Sequence, residues 1–351
     1  MKRPLPPRPT PARAMRSSRP SRPVRIVALG GGTGLSTVLR GLKHYVARSP
    51  RDPVPRPIAD LAAVVTVTDD GGSSGRLRRE YKVLPPGDIR NCMVALSKDE
   101  HLLGRLFQYR FPVRRGQALA GHSFGNLFLT ALTNVTGDFP EAVRVSASVL
   151  AIRGRIFPST AQNVTLEAEL EDGTSVAGET RISASRKRIR RVRLVPRRVR
   201  PVSEVLEAIR DADLILVGPG SLYTSLIPNL LIDKVAQAIR RSRATCVYIA
   251  NLMTQPGETL HYSVADHIRA IYAHSGDRLF DAVVINRSRV DPRIRKRYHA
   301  GGADPVDASR RELERMGLRV VSGDLLRQDG VVRHDETRLA RLLLEGFIQR
   351  K

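Results

Sequence analysis

The sequence has few cysteines and no long apolar run, and both absences narrow the class of protein. The two cysteines, Cys92 and Cys246, cannot build a disulfide framework and are typical of a reducing compartment. No apolar segment approaches the roughly 18 residues that cross a bilayer, and the first 23 residues lack the apolar stretch of a signal peptide. We therefore expect a cytoplasmic protein that is not an integral membrane protein.

Acidic residues are also scarce. The chain of 351 residues has 34 Asp and Glu against 59 Lys and Arg, which gives a formal net charge of +25. The excess is concentrated in three blocks with seven, ten and six basic residues, at 1–23, 181–200 and 287–297. Such blocks are either solvated faces or contacts for an anionic partner. Because neither zinc-finger spacing nor an aromatic RNA-binding motif is present, we expect no sequence-specific nucleic-acid binding.

Five short apolar runs each end at a cluster of Gly, Asp, Asn or Ser, and a helical pattern usually follows. Short, β-branched, continuously apolar runs alternating with helices predict a buried parallel sheet. The fold class is therefore α/β, a Rossmann-like parallel sheet with helices on both faces. Ligands of such sheets bind outside the carboxyl ends of the strands, so we expect the clusters to line one crevice. The runs are 24–29, 61–68, 213–217, 246–250 and 280–285.

Three further regions flank or interrupt this core. Residues 1–23 are basic, proline-rich and free of acid, which predicts a disordered tail. Residues 163–200 alternate apolar and polar side chains across an Asp172-Gly173 turn, which predicts a small antiparallel β insertion. We expect one domain at 24–330 that contains this insertion, followed by a C-terminal helix at 331–351. The tail and the basic strand of the insertion are a candidate docking surface for an acidic protein or an anionic membrane.

Two helix starts can also be predicted. Asp88 follows Pro85-Pro86-Gly87 and is the expected N-cap of a helix at 89–97. Asp138 stands before Pro140 in the same way, since proline is favoured in the first helical turn.

Two glycine-rich turns predict phosphate binding. In "LGGGTGLS" the segment Gly30 to Gly34 joins a strand to a helix, so backbone can approach an anion at the positive end of that helix. The dinucleotide fingerprint needs another glycine where this chain has Leu35, so the turn is of a different type. In "GPGSLYTS", Gly218 and Gly220 precede the hydroxyl of Ser221. Two such loops facing one crevice suit a diphosphate or a nucleotide sugar.

Adjacent acids follow the second strand. Asp69 and Asp70 could hold Mg²⁺ through one or two carboxylates, while the ion keeps waters and substrate phosphate. The alternative is that Asp69 caps a turn and Asp70 is solvated.

The segment Gly121-His122-Ser123-Phe124-Gly125 fits G-x-S-x-G, the nucleophile elbow of α/β-hydrolases. An elbow needs a buried strand directly before it, whereas "FPVRRGQALA" precedes Ser123 and contains two breakers. We therefore favour the other interpretation, in which Ser123 lies near the N-cap of a helix and Asn126 faces the crevice.

Taken together, six motifs closely resemble the YvcK-type gluconeogenesis factor family, within the wider CofD-like group related to 2-phospho-L-lactate transferase. The resemblance runs from about residue 24 to about residue 306. It implies a Rossmann-like, cytoplasmic protein that binds a nucleotide sugar, UDP-N-acetylglucosamine in members of the family. The implied role is regulatory and supports cell shape, envelope synthesis and growth on gluconeogenic carbon sources. The motifs are "GGGTGLS", "TDDGGSSGRLRRE", "LPPGDIRNC", "GHSFGNL", "GPGSLYTS" and "NLMTQPGET".

The resemblance also implies site residues. In the related transferases an aspartate of the "DDGG" segment helps hold Mg²⁺, which points to Asp69 or Asp70 here. No cofactor is implied with certainty beyond UDP-N-acetylglucosamine or another nucleotide as ligand. The ligand-binding set carried over is Gly31, Gly32, Thr33, Gly34, Asp70, Ser73, Ser74, Asn91, Asn126, Gly218, Gly220, Ser221, Asn251, Thr254 and Tyr262.

Two functional hypotheses follow. The first is a binding regulator without turnover, in which nucleotide-sugar occupancy changes association with a regulatory protein; a homo-oligomer is compatible with this role. The second is a Mg²⁺-dependent phosphoryl or nucleotidyl transferase. The sequence shows two phosphate-type loops without a convincing nucleophile or acid/base pair, so we favour the first.

Overall fold

A computed structural model describes residues 23–47, 56–98, 102–113 and 117–348. The predicted tail lies outside this range except for its last residue. Twelve strands occur in the described part of the chain. They are β1 Val24–Gly30, β2 Ile58–Val65, β3 Arg155–Pro158, β4 Thr165–Leu170, β5 Ser175–Ala177, β6 Ile189–Val195, β7 Leu214–Val217, β8 Thr245–Ile249, β9 Ala282–Asn286, β10 Arg319–Gly323, β11 Leu326–Gln328 and β12 Val332–His334.

Helices connect and flank the strands. None of those in the described ranges is long and apolar enough to cross a membrane. One 3₁₀ turn, Lys43–Tyr45, and two π-helical turns, Leu222–Leu226 and Leu344–Ile348, supplement the α-helices. The α-helices are α1 Gly32–Leu42, α2 Gly72–Tyr81, α3 Gly87–Leu96, α4 Leu102–Gln108, α5 Phe124–Thr136, α6 Phe139–Val149, α7 Glu179–Ala184, α8 Ser203–Asp211, α9 Ile227–Leu231, α10 Val235–Arg241, α11 Val264–Ser275, α12 Pro292–Ala300, α13 Arg310–Arg315 and α14 Glu336–Leu343.

Seven strands form one sheet in the order β10-β9-β8-β7-β1-β2-β3, and every neighbouring pair is parallel. Residues 26–29 of β1 and all four residues of β7 are buried. These strands have no polar face because helices flank the sheet, which explains their continuous apolar sequence. The predicted α/β, Rossmann-like fold is confirmed.

The strand order changes direction at β1. The chain passes from β1 to β2 and β3 on one side, then returns to β7 on the other side of β1 and continues to β8, β9 and β10. The loops that follow β1 and β7 therefore meet at a topological switch point, where α/β sheets leave a crevice for ligands.

The predicted antiparallel insertion is also confirmed. Strand β4 pairs antiparallel with both β5 and β6. The turn between β4 and β5 contains Gly173 at a φ of +82°, a conformation that favours glycine. Alternate side chains of β4 and β6 are buried, so one face of this small sheet packs inward.

The C-terminal region differs from the single helix predicted at 331–351. It begins with β12, which pairs antiparallel with β11 across a turn that contains Gly330 at a φ of +71°. Helix α14 starts only at Glu336, where the Asp335 carboxylate accepts hydrogen bonds from the N–H groups of Thr337 and Arg338. A three-residue strand is too short to give an alternation that sequence patterning detects.

One of the two predicted helix starts is confirmed and the other is wrong. Asp138 caps α6 by accepting a hydrogen bond from the Glu141 N–H at 3.0 Å. Helix α3 instead begins at Gly87 with Pro86 as its N-cap, and Asp88 lies inside the first turn. Its carboxylate interacts with another part of the chain, as described below.

The first turn of α1 packs directly against the loop after β7. A Cβ atom at Gly34 would lie 2.2 Å from the carbonyl oxygen of Pro219 and 3.1 Å from the backbone nitrogen of Gly220. Real Cβ atoms do not approach backbone so closely, so the glycine at position 34 is what allows the two loops to touch.

We predict that Gly34→Ala destabilises the protein. The added methyl group must push the two loops apart, and overpacking of this kind costs about 1–3 kcal/mol. Urea unfolding of the variant should show a correspondingly lower free energy of unfolding.

Gly346→Ala is the matched control, because a Cβ there would meet only the Val321 side chain at 3.5 Å, an ordinary contact. Equal stability of Gly34→Ala and the wild type would contradict the close-approach argument.

Candidate ligand-binding site

A cavity of about 560 Å³ opens at the carboxyl ends of β1, β7 and β8. Loops that follow these strands form much of its wall, as the sequence predicts for a parallel sheet. Eight predicted ligand residues line it: Gly31, Gly32, Thr33, Gly34, Gly220, Ser221, Asn251 and Thr254.

The first glycine loop presents a helix N-terminus to this cavity. Helix α1 starts at Gly32, with Gly31 as its N-cap. Gly32 has a φ of +58°, which a residue with a side chain adopts only with strain. The first N–H groups of a helix have no partner within that helix and carry partial positive charge, so this end attracts anions.

The second loop is held from β8. Asn251 donates to the Gly220 carbonyl at 2.8 Å and accepts from the Gly220 N–H at 3.0 Å. The Gln255 side-chain amide donates to the Ser221 hydroxyl oxygen at 2.9 Å, which leaves the Ser221 hydroxyl hydrogen free to point at a ligand. Thr254 is buried, and its hydroxyl accepts from the Asp304 N–H at 2.9 Å. Asn251 and Thr254 therefore shape the wall through their backbone contacts.

Asp88 lies at the N-terminus of α1, and the sequence analysis did not place it in the site. Its carboxylate accepts a hydrogen bond from the Gly32 N–H, and a Cβ at Gly31 would lie 2.6 Å from one of its oxygens. Burial, followed by the nearby charge of Asp69, raises the pKa of Asp88 to about 7. The motif "LPPGD" has the form of a helix start, so the sequence predicted a cap for Asp88 and not its contact with the first glycine loop.

Glu179, the first residue of α7, also lines the cavity. Burial raises its pKa to about 9, and the charges of Asp69 and Asp88 add to that effect. The side chain is therefore protonated at neutral pH and can donate a hydrogen bond. No local signal in the sequence identifies Glu179, because it reaches the cavity only when the insertion docks on the main domain.

Asp70 helps to dock that insertion and does not line the cavity. Its carboxylate accepts from the backbone N–H of Thr180 at 2.9 Å and from the Thr180 hydroxyl at 2.8 Å. Farther along α7, Ser183 donates to buried Glu258 at 3.2 Å, and the Ser183 carbonyl would lie 2.2 Å from a Cβ at Gly257. These contacts fix both ends of α7 and so position Glu179.

Asp69 and Asp70, the magnesium ligands predicted from the sequence, bind different parts of the chain. The Asp69 carboxylate accepts from the Gly71 N–H at 2.9 Å, as in the turn-capping alternative, while Asp70 faces Thr180. Within the described ranges, no group of three or more His, Cys, Asp or Glu side chains is arranged to hold a metal ion. Asp69 lies close enough to Asp88 for its charge to add to the raised pKa of the Asp88 carboxyl group.

Four other predicted residues belong to helix contacts outside the cavity wall. The Ser73 hydroxyl lies 3.0 Å from Nδ1 of His122 and accepts from the Asn126 amide at 3.1 Å. Asn91 accepts from Arg90 at 2.7 Å. Ser74 packs against Gly87, where a Cβ would lie 2.5 Å from its hydroxyl oxygen. Ser73 and Ser74 thus join α2 to α5 and α3, whereas Asn91 contacts only its own helix.

Gly218 and Tyr262 do not line the cavity either. Gly218 has a φ of +86°, and a Cβ there would lie 2.9 Å from the Ile249 carbonyl oxygen, so it forms the turn that follows β7. The Tyr262 hydroxyl lies 2.9 Å from that of Tyr223.

Ser123 is the N-cap of α5. Its hydroxyl accepts from the Asn126 N–H at 3.3 Å and from Nη1 of Arg90 at 2.5 Å. No histidine in the described ranges is hydrogen-bonded to it, so a hydrolase triad does not form around this serine. The helix-start interpretation is confirmed, although Asn126 contacts Ser73 and not the crevice.

The C-terminal hairpin supplies a further wall that sequence patterning did not predict. It contributes Arg327, Val332, Arg333 and His334, and Arg40 and Tyr298 lie on the same cavity. Arg40 and Arg327 share one carboxylate, that of Glu336, at 3.5 and 3.6 Å. The cavity therefore combines guanidinium groups, a helix N-terminus and buried acids.

These features define an α/β protein with paired glycine-rich loops at the switch point of a parallel sheet. Residues 26–326 match the profile of the 2-phospho-L-lactate transferase CofD family, and the chain belongs to that family. It is 47% identical to the gluconeogenesis factor of Bacillus subtilis, over 92% of this chain and 97% of that protein. It is 44% identical to the gluconeogenesis factor of Halalkalibacterium halodurans, over 92% of this chain and 96% of that protein.

A crystal structure of a UPF0052-family protein from Bacillus halodurans has a similar fold. The two share a TM-score of 0.86 and 42% sequence identity, over 92% of this chain and all of the other. The family resemblance predicted from the six motifs is thus confirmed.

We predict that Asp88→Asn weakens the pH dependence of stability. The pKa of Asp88 is raised from 3.8 to about 7, so the folded protein holds this proton more tightly than the unfolded chain. That contribution is complete below the unfolded pKa and is lost as pH rises through the folded pKa. The loss is up to about 4 kcal/mol, and urea unfolding at several pH values between about 4 and 8 would measure it.

Asparagine has no proton to lose and still accepts from the Gly32 N–H, so the variant should have a shallower slope. Asp138→Asn, a change at the exposed cap of α6, should keep the wild-type slope. Equal slopes for all three proteins would refute the assignment of the titration to Asp88.

Proposed function

We propose that the protein is a cytoplasmic regulator that binds a nucleotide sugar, with UDP-N-acetylglucosamine as the ligand. Its role would be to support cell shape, envelope synthesis and growth on gluconeogenic carbon sources. One observation carries the proposal: the two glycine-rich loops touch through Gly34 and line a single cavity. The names of the relatives, which are gluconeogenesis factors, support the regulatory part.

The chemistry of the cavity suits a diphosphate with a polar group at each end. The N-terminus of α1 and the Ser221 hydroxyl would receive phosphate oxygens, and Arg333 adds a guanidinium group that can bind phosphate in a bidentate manner. A volume of about 560 Å³ falls in the usual range for pockets that enclose a small organic ligand, roughly 300–1,000 Å³.

A second candidate is a Mg²⁺-dependent transferase, favoured by Asp88 and Glu179, which line the cavity with the first glycine loop, and by the nearby charge of Asp69. In that case Asp69 and Asp88 would hold the ion together with ligand phosphate oxygens. The ion would neutralise charge on the transferred phosphate. Glu179 would then donate its proton to a ligand oxygen.

We predict that UDP-N-acetylglucosamine raises the thermal unfolding midpoint without Mg²⁺. At about one hundred times its dissociation constant a ligand adds roughly 2.7 kcal/mol of stability, which is a shift of several degrees for a chain of this size. Thr33→Val removes an exposed hydroxyl from the cavity wall and should weaken binding up to about tenfold.

Thr133→Val on α5, outside the cavity, is the matched control and should bind as the wild type does. A shift that requires Mg²⁺ would favour the transferase. If the unfolding midpoint is unchanged both with and without Mg²⁺, the proposed function is contradicted.

A regulator of this kind needs a surface that binds a partner protein. The basic strand β6 is poorly suited to an acidic partner. Four cations on this strand or just before it are paired with acids on β4 or just after it. The pairs are Lys187 with Asp172 at 2.6 Å, Arg188 with Glu171 at 3.5 Å, Arg190 with Glu169 at 3.0 Å and Arg193 with Glu167 at 2.8 Å.

The third basic block offers a better surface for an acidic regulatory protein. Helix α12 has no buried residue, and its exposed cations include Arg293, Lys296 and Arg297. None of the six basic side chains at 287–297 forms an ion pair within the described ranges. We assign partner binding to this surface, which we name the α12 face.

We predict that neutralising the α12 face weakens polyanion binding more than neutralising three paired arginines at β6 does. The two triple variants, R293Q/K296Q/R297Q and R188Q/R190Q/R193Q, each lose three positive charges. The first should elute from immobilised heparin at clearly lower salt, because its cations are not already paired. Elution of both variants at the same salt concentration would rule out a special role for the α12 face.

A further inference from the structure

An exposed apolar surface lies outside the cavity, on helix α4 and the turn that follows it. Five of the eleven large apolar side chains that are exposed in the described part of the chain belong to residues 102–119. They are Leu102 (73% exposed), Leu106 (39%), Tyr109 (49%), Val113 (83%) and Leu119 (46%). Single exposed apolar residues are ordinary, whereas a cluster of them marks a surface that another body covers.

Helical spacing places the first three of these side chains together. Leu102 and Leu106 are four residues apart on α4, and Tyr109 continues the last turn, since its N–H donates to the Leu106 carbonyl at 3.0 Å. Residues three and four apart lie on the same side of a helix. The core side of α4 is formed by Gly104 and Phe107, which are buried. Helix α4 is therefore apolar toward solvent as well as toward the core.

Backbone hydrogen bonds hold the residues after α4 as a two-stranded turn. The Phe111 N–H donates to the His122 carbonyl, and the Gly121 N–H donates to the Phe111 carbonyl, both at 2.9 Å. The Arg110 guanidinium donates to the Gly121 carbonyl at 2.6 Å. A Cβ at Gly121 would lie 3.5 Å from the Val113 side chain, so Val113 projects from a base that is fixed beside the end of α4.

The charge of this region has one sign. Residues 102–121 contain four arginines and no Asp or Glu. Arg105 and Arg110 lie within the described ranges and are exposed, and Arg105 has no ion-pair partner among the described residues. A second copy of the chain on this surface would bring like charges together, which costs free energy. The charge therefore favours an anionic body as the occupant.

We propose that an anionic phospholipid bilayer is that occupant. It would bind the surface formed by Leu102, Arg105, Leu106, Tyr109 and Val113, which we name the α4 surface. Aliphatic and aromatic side chains beside cations are typical of segments that lie in a membrane interface. The apolar groups enter the acyl boundary, while the guanidinium groups stay among the lipid phosphates. The docking is peripheral, because α4 has only seven residues.

This inference goes beyond the proposed function and stands whether or not the cavity binds a nucleotide sugar. It assigns the protein a second contact, with a lipid surface, through residues that do not line the cavity.

The first experiment uses the absence of tryptophan from the chain, because a single introduced indole then reports only its own surroundings. Leu102→Trp places it on the α4 surface. Val135→Trp is the matched control, since Val135 is 81% exposed near the opposite end of α5 from the turn. We expect vesicles of phosphatidylcholine with phosphatidylglycerol to shift the emission of Leu102→Trp to the blue and to leave that of Val135→Trp unchanged.

The second experiment measures flotation of the full chain with the same vesicles. The double variant L102Q/V113Q removes the two most exposed apolar side chains of the α4 surface, and V135Q/V149Q removes two exposed valines elsewhere. We expect L102Q/V113Q to bind at least about tenfold more weakly, because it loses apolar area that the interface buries. V135Q/V149Q should bind as the wild type does, and wild-type binding should fall with added salt.

Three outcomes would overturn the inference. If wild type does not float with the anionic vesicles, no membrane docking occurs. If L102Q/V113Q floats as well as the wild type, the basic tail or the α12 face carries the binding. If wild type binds vesicles of phosphatidylcholine alone equally well, lipid charge is not recognised. Light scattering tests the other occupant: a wild-type dimer that L102Q/V113Q dissociates, without flotation of either protein, would assign the surface to a second copy of the chain.

Discussion

The contact between the first turn of α1 and the loop after β7 is the constraint on which the site depends. Gly34 brings the helix backbone against Pro219 and Gly220 with no side chain between them, so the ends of two adjacent strands converge on one cavity. Asn251 then fixes Gly220 from the end of β8. The positions of the phosphate-type loops are therefore set by backbone packing, and the side chains around them only complete the walls.

The buried acids show how the insertion participates in the same site. Asp70 and Glu258 hold α7 by its hydroxyl residues, and this places Glu179 near Asp69 and Asp88. Three carboxyl groups close together in a buried setting cannot all be ionised without strong repulsion. Burial raises the pKa of Asp88 to about 7 and that of Glu179 to about 9, and the neighbouring negative charges add to both shifts. The site is therefore less negative than its composition suggests.

The sequence predicted the parts of the fold that depend on local pattern. The runs at 24–29 and 246–250 match β1 and β8 because strands buried on both faces are continuously apolar. Residues that come from packing between distant segments were missed: Asp88 has the local appearance of a cap, and His334 lies on a hairpin too short to give a pattern. Ser73 and Asn126 were placed in the crevice, but they lie in the first turns of α2 and α5 and bind each other instead.

The protonation of the acids also bears on whether the site binds or catalyses. A divalent cation needs deprotonated carboxylates, so its binding must expel protons from groups that hold them tightly. Asp88, with a pKa of about 7, and Glu179, with a pKa of about 9, would resist a metal near neutral pH more than ordinary carboxylates do. Neutral acids instead donate hydrogen bonds to phosphate oxygens. The protonation of this cluster at physiological pH therefore supports the proposed binding role over the metal-dependent transferase.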